Sequence, residues 1–423
     1  MRGTPILIAA LAILPTLAGG AAWGQNQGEY FQRDRNTSVL ERPRNEFIAP
    51  PAQHGAFLVK AEAEVGVAVD DNIYATTTNT ESDVVASFQP SFEAESTWSR
   101  HALSVGASAV RREYLDFTSE SVWNAEVGIV GRVDIQRGVF LDGEASMAML
   151  TENRSSAGAA ILAAEPIEYD TTHVSGGATY TTGRVRMNAS VSAESYDFDD
   201  ASLTAGGIAD QDFRDYTETE ISARVDAAMS PAVAVFARAS ANQRDYDTPA
   251  AGSPNRDSDG YVVEMGVDFD IGGTARGSVA AGALKQSYDD ATFTDIDGTS
   301  VNAQVEWFPT QLTTIEISAT RAPRESAITA SAGYTETQIS GRVDHELLRN
   351  LILSARASFG DDDYAGIDRT DERFEAMASA SWLMNRRVGL QASFTHLDVE
   401  STGAVARGDF DNNIVRISVS LRM

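Results

Sequence analysis

The 423-residue chain carries 33 Lys and Arg against 61 Asp and Glu, a net charge of −28, and no cysteine. That balance excludes a nucleic-acid partner, which needs clustered cations on the phosphate backbone, and the missing thiols exclude a disulfide framework or a thiolate metal site. Hydrophobic residues make up 43%, but much of this is Ala and Val dispersed among Ser, Thr, Gly and Asp. The length therefore points to one large closed sheet rather than several thick-cored soluble domains.

The chain opens on "MRGTPILIAALAILPTLAGGAAWGQNQ". Arg2, a short apolar stretch and small residues at Ala22 and Gly24 predict a secretory signal peptide over residues 1–24. No later segment approaches the 18 or so apolar residues of a membrane helix. Residues 25–56 follow as a polar lead-in without periodicity, expected to lie in the periplasm and too short for a folded plug domain.

From Phe57 onward a two-residue alternation takes over, the pattern of strands with one apolar and one polar face. "FLVKAEAEVGVAVDD" sets Val65, Val67 and Val69 against Glu62 and Glu64, and the same behaviour returns in "VVASFQPSFEAE", "GRVRMNASVSAE", "TETEISARVDA", "YVVEMGVDFDI" and "VGLQASFTH". About 18 such segments run to Met423, each long enough for a tilted transmembrane strand. Residues 57–423 are thus expected to form an all-β fold, a transmembrane antiparallel outer-membrane barrel.

The connections alternate between short ("TWSRH", "QRG", "MSPA") and long ("DDNIYATTTNTES", "TENRSSAGAAILAAEPIE", "YDFDDASLTAGGIADQDF"). Short turns on one side and long loops on the other place the loops at the cell exterior and both termini in the periplasm of a Gram-negative cell. Acids concentrate in the long connections, whereas Glu346 is the single acid of the short turns. Tyrosines such as Tyr74, Tyr114, Tyr196, Tyr216, Tyr246, Tyr288, Tyr334 and Tyr364 collect near the long loops. Trp98, Trp307 and Trp382 collect near the short turns. These two levels read as the aromatic girdles of a membrane barrel. The closing "NNIVRISVSLRM" alternates to the end, as a last strand pairing with the first would, so that closure leaves no edge. A soluble sandwich would also alternate, but the thin Ala-rich outward faces and sorted loop lengths disfavour it.

Three short elements in the stretch from Arg42 to Ser119 carry a resemblance: an Arg-Pro lead-in, "DDNIY" with Asp70, Asp71, Asn72 and Tyr74, and the turn formed by Trp98, Arg100 and His101. With "SATRAPRESA" from Ser318 to Ala327 and the closing strand, the chain resembles the outer-membrane porins described as "beta-barrel porin 2". Arg44 departs from the family's lead-in, where an acidic or small residue is more usual. Many members are associated with exopolysaccharide production, so the resemblance implies a conduit for a hydrophilic polymer and supplies no catalytic residue.

Residue chemistry alone adds no catalytic constellation. Thr395, His396 and Asp398 are the nearest approach to one, and an interfacial histidine is the simpler reading. The acidic runs Asp70–Asn72 and Asp361–Asp363 lack the spacing of a calcium loop, so the reading assigns no metal and no cofactor. It expects contact with lipopolysaccharide, bridged diffusely by divalent cations. The inward positions give the lumen candidates Arg186, Arg224, Arg238, Arg342, Arg356, Arg416, Glu62, Glu64, Glu264, Asp268 and Glu306. A wall of opposed charges suits a hydrated channel. The sequence reading is a non-enzymatic conduit for exopolysaccharide, inserted by the barrel-assembly machinery and served by a periplasmic export component. Its alternatives are a general diffusion porin, expected to fold residues 152–168 or 197–213 into the lumen, and a barrel enzyme or adhesin.

Overall fold

A computed structural model describes residues 37–156, 163–249, 252 and 254–423. The signal peptide and the first part of the lead-in lie outside the described residues. Eighteen long strands follow in chain order: β1 Phe57–Asp70, β2 Asp83–Ser96, β3 Ala102–Tyr114, β4 Val122–Gln136, β5 Val139–Thr151 and β6 Glu168–Thr182. Next come β7 Val185–Phe198, β8 Tyr216–Ser230, β9 Val233–Tyr246, β10 Ser258–Ile271, β11 Ala275–Tyr288 and β12 Ile296–Thr310. The last six are β13 Thr313–Glu325, β14 Gly333–Leu348, β15 Leu351–Tyr364, β16 Thr370–Leu383, β17 Val388–Thr402 and β18 Phe410–Arg422.

Each strand pairs antiparallel with its sequence neighbours, and β1 pairs with β18 from Glu62 opposite Arg422 to Asp70 opposite Ile414. The eighteen long strands form a closed barrel, and a short strand, Ala52–His54, pairs on the foot of β1. Strands of 13 to 16 residues exceed what a tilted crossing needs, so their ends stand clear of the hydrocarbon.

Alternation decides what each face meets. Val65, Val67, Val69, Met265, Ile317 and Ile417 project outward and stay exposed. In a soluble protein such a continuous apolar belt would be a liability; around a closed barrel it is the surface that lipid covers. The inward positions hold the charge, and ions such as Asp226, Glu264 and Asp268 are almost fully buried there. The polar wall is the packed side of this molecule and the apolar wall the open one.

Tight turns join the strands at one end. Gly138, at φ 78°, makes the two-residue β4–β5 turn possible, because a Cβ there would strike the carbonyl of Thr181 on β6. Ladder irregularities at Asp134/Gln136, Ala228/Ser230, Trp307/Thr310 and Glu346/Leu348 all fall at this short-turn end, where bulges adjust the twist of hairpins.

One expectation needs correction, and one segment gains detail: in the described part of the lead-in Val39 is fully buried and Arg44 is 2% exposed inside the short-turn mouth. The tyrosines do not form a lipid girdle as a group. Tyr114, Tyr196, Tyr216, Tyr246, Tyr288, Tyr334 and Tyr364 share parity with the inward residues of their strands, and those from Tyr246 onward are buried. Tyr261 does point outward, as do Trp98, Trp307 and Trp382, all about half exposed. Proximity to a loop says how high a residue stands on the wall; only parity says which side it faces.

Candidate functional site

The long-loop end is where the lumen narrows. Strand ends there place Tyr196, Tyr216 and Tyr246 directly opposite one another on β7, β8 and β9. Their rings stack at 4.7 and 5.0 Å between centroids, tilted by only 12° and 22°. Tyr169 stacks on Phe198 at 5.0 Å, and Tyr334 lies 5.0 Å from Tyr364. Cross-strand stacking uses the ring faces. What turns toward the lumen is therefore a comb of ring edges and phenol hydroxyls. The hydroxyls of Tyr288 and Tyr364 are buried without a protein partner.

Ion pairs fill the spaces between the rings. The Tyr246 hydroxyl and the Arg244 guanidinium both donate to Glu325, joining β9 to the end of β13 across the barrel interior. Arg244 also donates to Glu218 at 2.7 Å. Arg373 donates to Glu336 and Asp362, each at 3.0 Å, and Arg324 donates to Glu336 at 2.9 Å. Arg324 and Glu325 belong to the "SATRAPRESA" stretch, so that motif supplies part of this wall.

Loops fold over the same space. The Arg407 guanidinium, from the loop before β18, donates to the carbonyls of Ser156 at 2.8 Å and Arg154 at 3.2 Å in the loop after β5. Arg154 pairs with Glu120 at 2.7 Å, Arg214 with Glu152 at 2.7 Å, and the Ala164 amide donates to the Ser202 carbonyl at 2.7 Å. On the far side Arg256 donates to the carbonyls of Ser326 at 2.5 Å and Ile328 at 2.6 Å. Burial pulls the Arg407 guanidinium below its ordinary pKa, partly offset by Asp371. The described part of the loop that a constricting porin was expected to fold inward, residues 152–168, is thus tied to its neighbouring loops and to the loop before β18.

A chamber of about 150 Å³ remains beneath these braces, lined by Tyr169, Tyr196, Tyr216, Tyr246 and Tyr334 with Ser156, Arg324 and Arg373. Cavities of this size accept a single six-membered ring. The lining and its paired groups balance: Arg214, Arg244, Arg256, Arg324 and Arg373 stand against Glu152, Glu218, Glu325, Glu336 and Asp362. In a chain of charge −28, this is a neutral, hydroxyl-rich space.

The lumen candidates read from sequence all project inward, below the chamber. Arg224 donates to Asp226 and, at 2.6 Å, to Asp268, with its guanidinium 3.5 Å from the Phe236 ring centroid. Arg186 reaches Asp226 at 3.3 Å, and Arg238 pairs with Glu264, which also accepts from Ser300 at 2.5 Å. Arg416 pairs with Glu64 at 2.7 Å and Glu62 with Arg422 at 3.1 Å, both across the closure seam. Glu306 accepts from Arg276, and Arg342 from its own strand reaches Asp344 at 3.0 Å. Arg356 sits inward on β15, near Glu375. These residues line the wall of the barrel; they do not converge on one point.

The motif positions do structural work. Asp70 accepts from the Asn72 amide and from Asn412, each at 3.0 Å, while Asp71 accepts from the backbone and side chain of Asn413 at 2.7 and 2.9 Å. The first loop is sewn to the last strand. Tyr74 packs edge-on to Phe117 at 5.6 Å. At the opposite end Trp98 packs on Phe57, Arg100 donates to the Asp134 carbonyl at 3.1 Å, and His101 accepts from the Asp134 amide at 3.2 Å. Thr395 and His396 lie on opposite faces of β17, and His396 meets Asn413 instead. Asp361 and Asp363 point away from Asp362 by the same alternation. Among the described residues three exposed carboxylates, Asp200, Asp210 and Asp212, approach one another closely enough to share an ion.

A family model described as "Putative beta-barrel porin 2" matches residues 51–423. No curated protein is similar to the chain in sequence. Among solved structures, the chain is similar to Pseudomonas aeruginosa OpdK with vanillate, at 12% identity and TM-score 0.44 over 86% of this chain and 99% of that one. OccK2 (OpdF) of the same organism gives 12% identity and TM-score 0.46 over 86% and 98%. A mutant of its ferric enterobactin receptor PfeA gives 8% and 0.45 over 86% and 80%.

Proposed function

Because the chain belongs to the family described as "Putative beta-barrel porin 2", we propose that it is a selective outer-membrane channel for uncharged, hydroxyl-bearing ring solutes of the saccharide class. The single observation that carries this reading is the charge-balanced, tyrosine-edged chamber under the braced loops. A solute with a net charge would compete with internal ion pairs such as Arg214–Glu152 and Arg373–Asp362 for a partner there, and breaking one leaves a buried charge behind. A neutral polyol gives up only water, and exchanges its hydrogen bonds with phenols, carboxylates and guanidinia. The long loops face the cell exterior, and the short turns, with both termini, face the periplasm.

The reading is tested by current block in planar bilayers. Added hexose or short oligosaccharide should reduce ion current saturably from the loop side, and Tyr216→Ala should weaken that block several-fold. Block that rises linearly with solute and ignores the substitution would leave an unselective diffusion pore.

A second reading is export of an exopolysaccharide, favoured by the circumference: 18 strands enclose a lumen wide enough for a hydrated chain once the loops part. It requires a periplasmic export component to drive the chain. Exposed Asp200, Asp210 and Asp212 would face lipopolysaccharide, bridged by divalent cations. Loss of surface polymer on gene deletion, with small-solute uptake unchanged, would favour this second reading over the first.

A further inference from the structure

Residues 37–49 lie inside the short-turn mouth and follow its rim. The Ala49 amide donates to the Arg386 carbonyl at the β16–β17 turn, at 3.1 Å. Arg349, at the β14–β15 turn, donates to the Pro43 carbonyl at 2.6 Å. Arg42 donates to the Gln311 carbonyl at the β12–β13 turn, and the Val39 amide donates to Thr314 Oγ1 at 2.9 Å. Arg276, at the head of β11, donates to Glu41 at 2.8 Å. The contacts step through seven consecutive strands, so the segment is a strap laid along one side of the opening.

Arg44 knots the strap. Its guanidinium donates to the Val39 carbonyl at 2.7 Å, to the Arg42 carbonyl at 3.1 Å and to Glu346 on β14 at 3.0 Å. The strap changes the wall it covers: the inward-facing side chains of Arg276 and Glu346 are only 3% and 5% exposed. On the uncovered side, Lys60 and Arg132 remain 49% and 42% exposed. The strap follows seven of the eighteen strands, about two-fifths of the mouth, and leaves the rest open.

We propose that residues 37–49 form the inner constriction of the pore and that Arg44 is the residue fixing their position. The proposal rests on the reading of the barrel as a channel. Ion flow rises with open cross-section, so releasing a strap that follows about two-fifths of the rim should raise conductance by up to about 1.6-fold, the loop end in series setting the upper limit. Arg44→Ala is the releasing substitution. Glu346 keeps Arg349 of the barrel wall at 3.7 Å as a partner when the strap, with Arg42, leaves, so its charge is not left unpaired.

The test is single-channel conductance of the full chain in planar bilayers, comparing wild type, Arg44→Ala, and Arg44→Ala combined with Val39→Cys and Thr314→Cys. The chain has no other cysteine. The bonded amide and hydroxyl hold the two Cα atoms within about 7 Å, inside disulfide reach. The expected result is a rise of up to about 1.6-fold in Arg44→Ala, return to the wild-type level in the oxidised triple variant, and a rise again on reduction. Equal conductance in wild type and a folded Arg44→Ala, or a triple variant indifferent to oxidation, would overturn the strap as constriction while leaving the channel intact. Silence from every variant, wild type included, would overturn the channel reading and the strap with it.

Discussion

Arg224 shows how much of this wall depends on single cations. It holds Asp226 and Asp268, both essentially inaccessible to solvent. Arg224→Met should destabilise the barrel by about 3–5 kcal/mol, because it removes a buried cation that two carboxylates share, and Arg186 at 3.3 Å from Asp226 compensates only one of them. Lys60→Ala, whose pair with Glu93 is half exposed, should cost under ~1 kcal/mol. Urea unfolding in detergent, followed by the heat-dependent gel shift of intact barrels, measures both; equal losses would deny the burial argument. Gly266 is a second such point. A Cβ there would collide with the Phe236 ring and the Val279 carbonyl, so Gly266→Val should cost about 1–3 kcal/mol as overpacking. Arg224 was legible from sequence as an inward cation, since parity fixes it. Its partner two strands away was not, because the partner depends on register and shear.

At the scale of elements, the loop between β7 and β8 should respond to pH. Asp215 accepts from the Phe198 amide at 2.7 Å. Burial, reinforced by Asp197, Asp212 and Asp247, pushes its carboxyl up to about 6. A folded-state pKa raised above the unfolded value means that the folded loop binds the proton more tightly. This contribution is fully present below about 3.8, the ordinary value, and is lost as pH rises toward 6. Protection factors for amides 199–215 should therefore be higher at pH 5 than at pH 8, and Asp215→Asn should flatten the difference. A loop more protected at pH 8 would contradict the assignment. The seam makes a companion prediction. Asp70→Ala removes acceptors for Asn72 and Asn412, and hydrogen exchange should accelerate in β1 and β18 before any other strand pair. Uniform acceleration around the barrel would mean that closure is not the weak point. "DDNIY" was visible as a motif at a loop, but its function as a stitch needs the last strand beside the first. No local pattern states that.

For the whole molecule, alternation carried most of the fold: strand count, faces, sorted loops and closure follow from a period of two repeated along 367 residues from Phe57 to Met423. Two features escaped it. The lead-in has no period, so its burial in the mouth has no sequence signal beyond Arg44 and its neighbours. The tyrosines sat at the expected height but on the unexpected face, and the parity that would have placed Tyr216 with Glu218 and Arg224 was already in "YTETEISARVDA". Together these features put braced loops over one end of the barrel and a strap along part of the other. The proposed selective channel rests on them.

The most direct test of that claim is swelling of liposomes carrying the purified barrel, using neutral monosaccharides, singly charged solutes of matched size and neutral oligosaccharides of rising length. The account predicts that neutral monosaccharides enter faster than their charged matches, and that Tyr216→Ala erases the preference. Entry governed by size alone, identical for neutral and charged solutes, would contradict it.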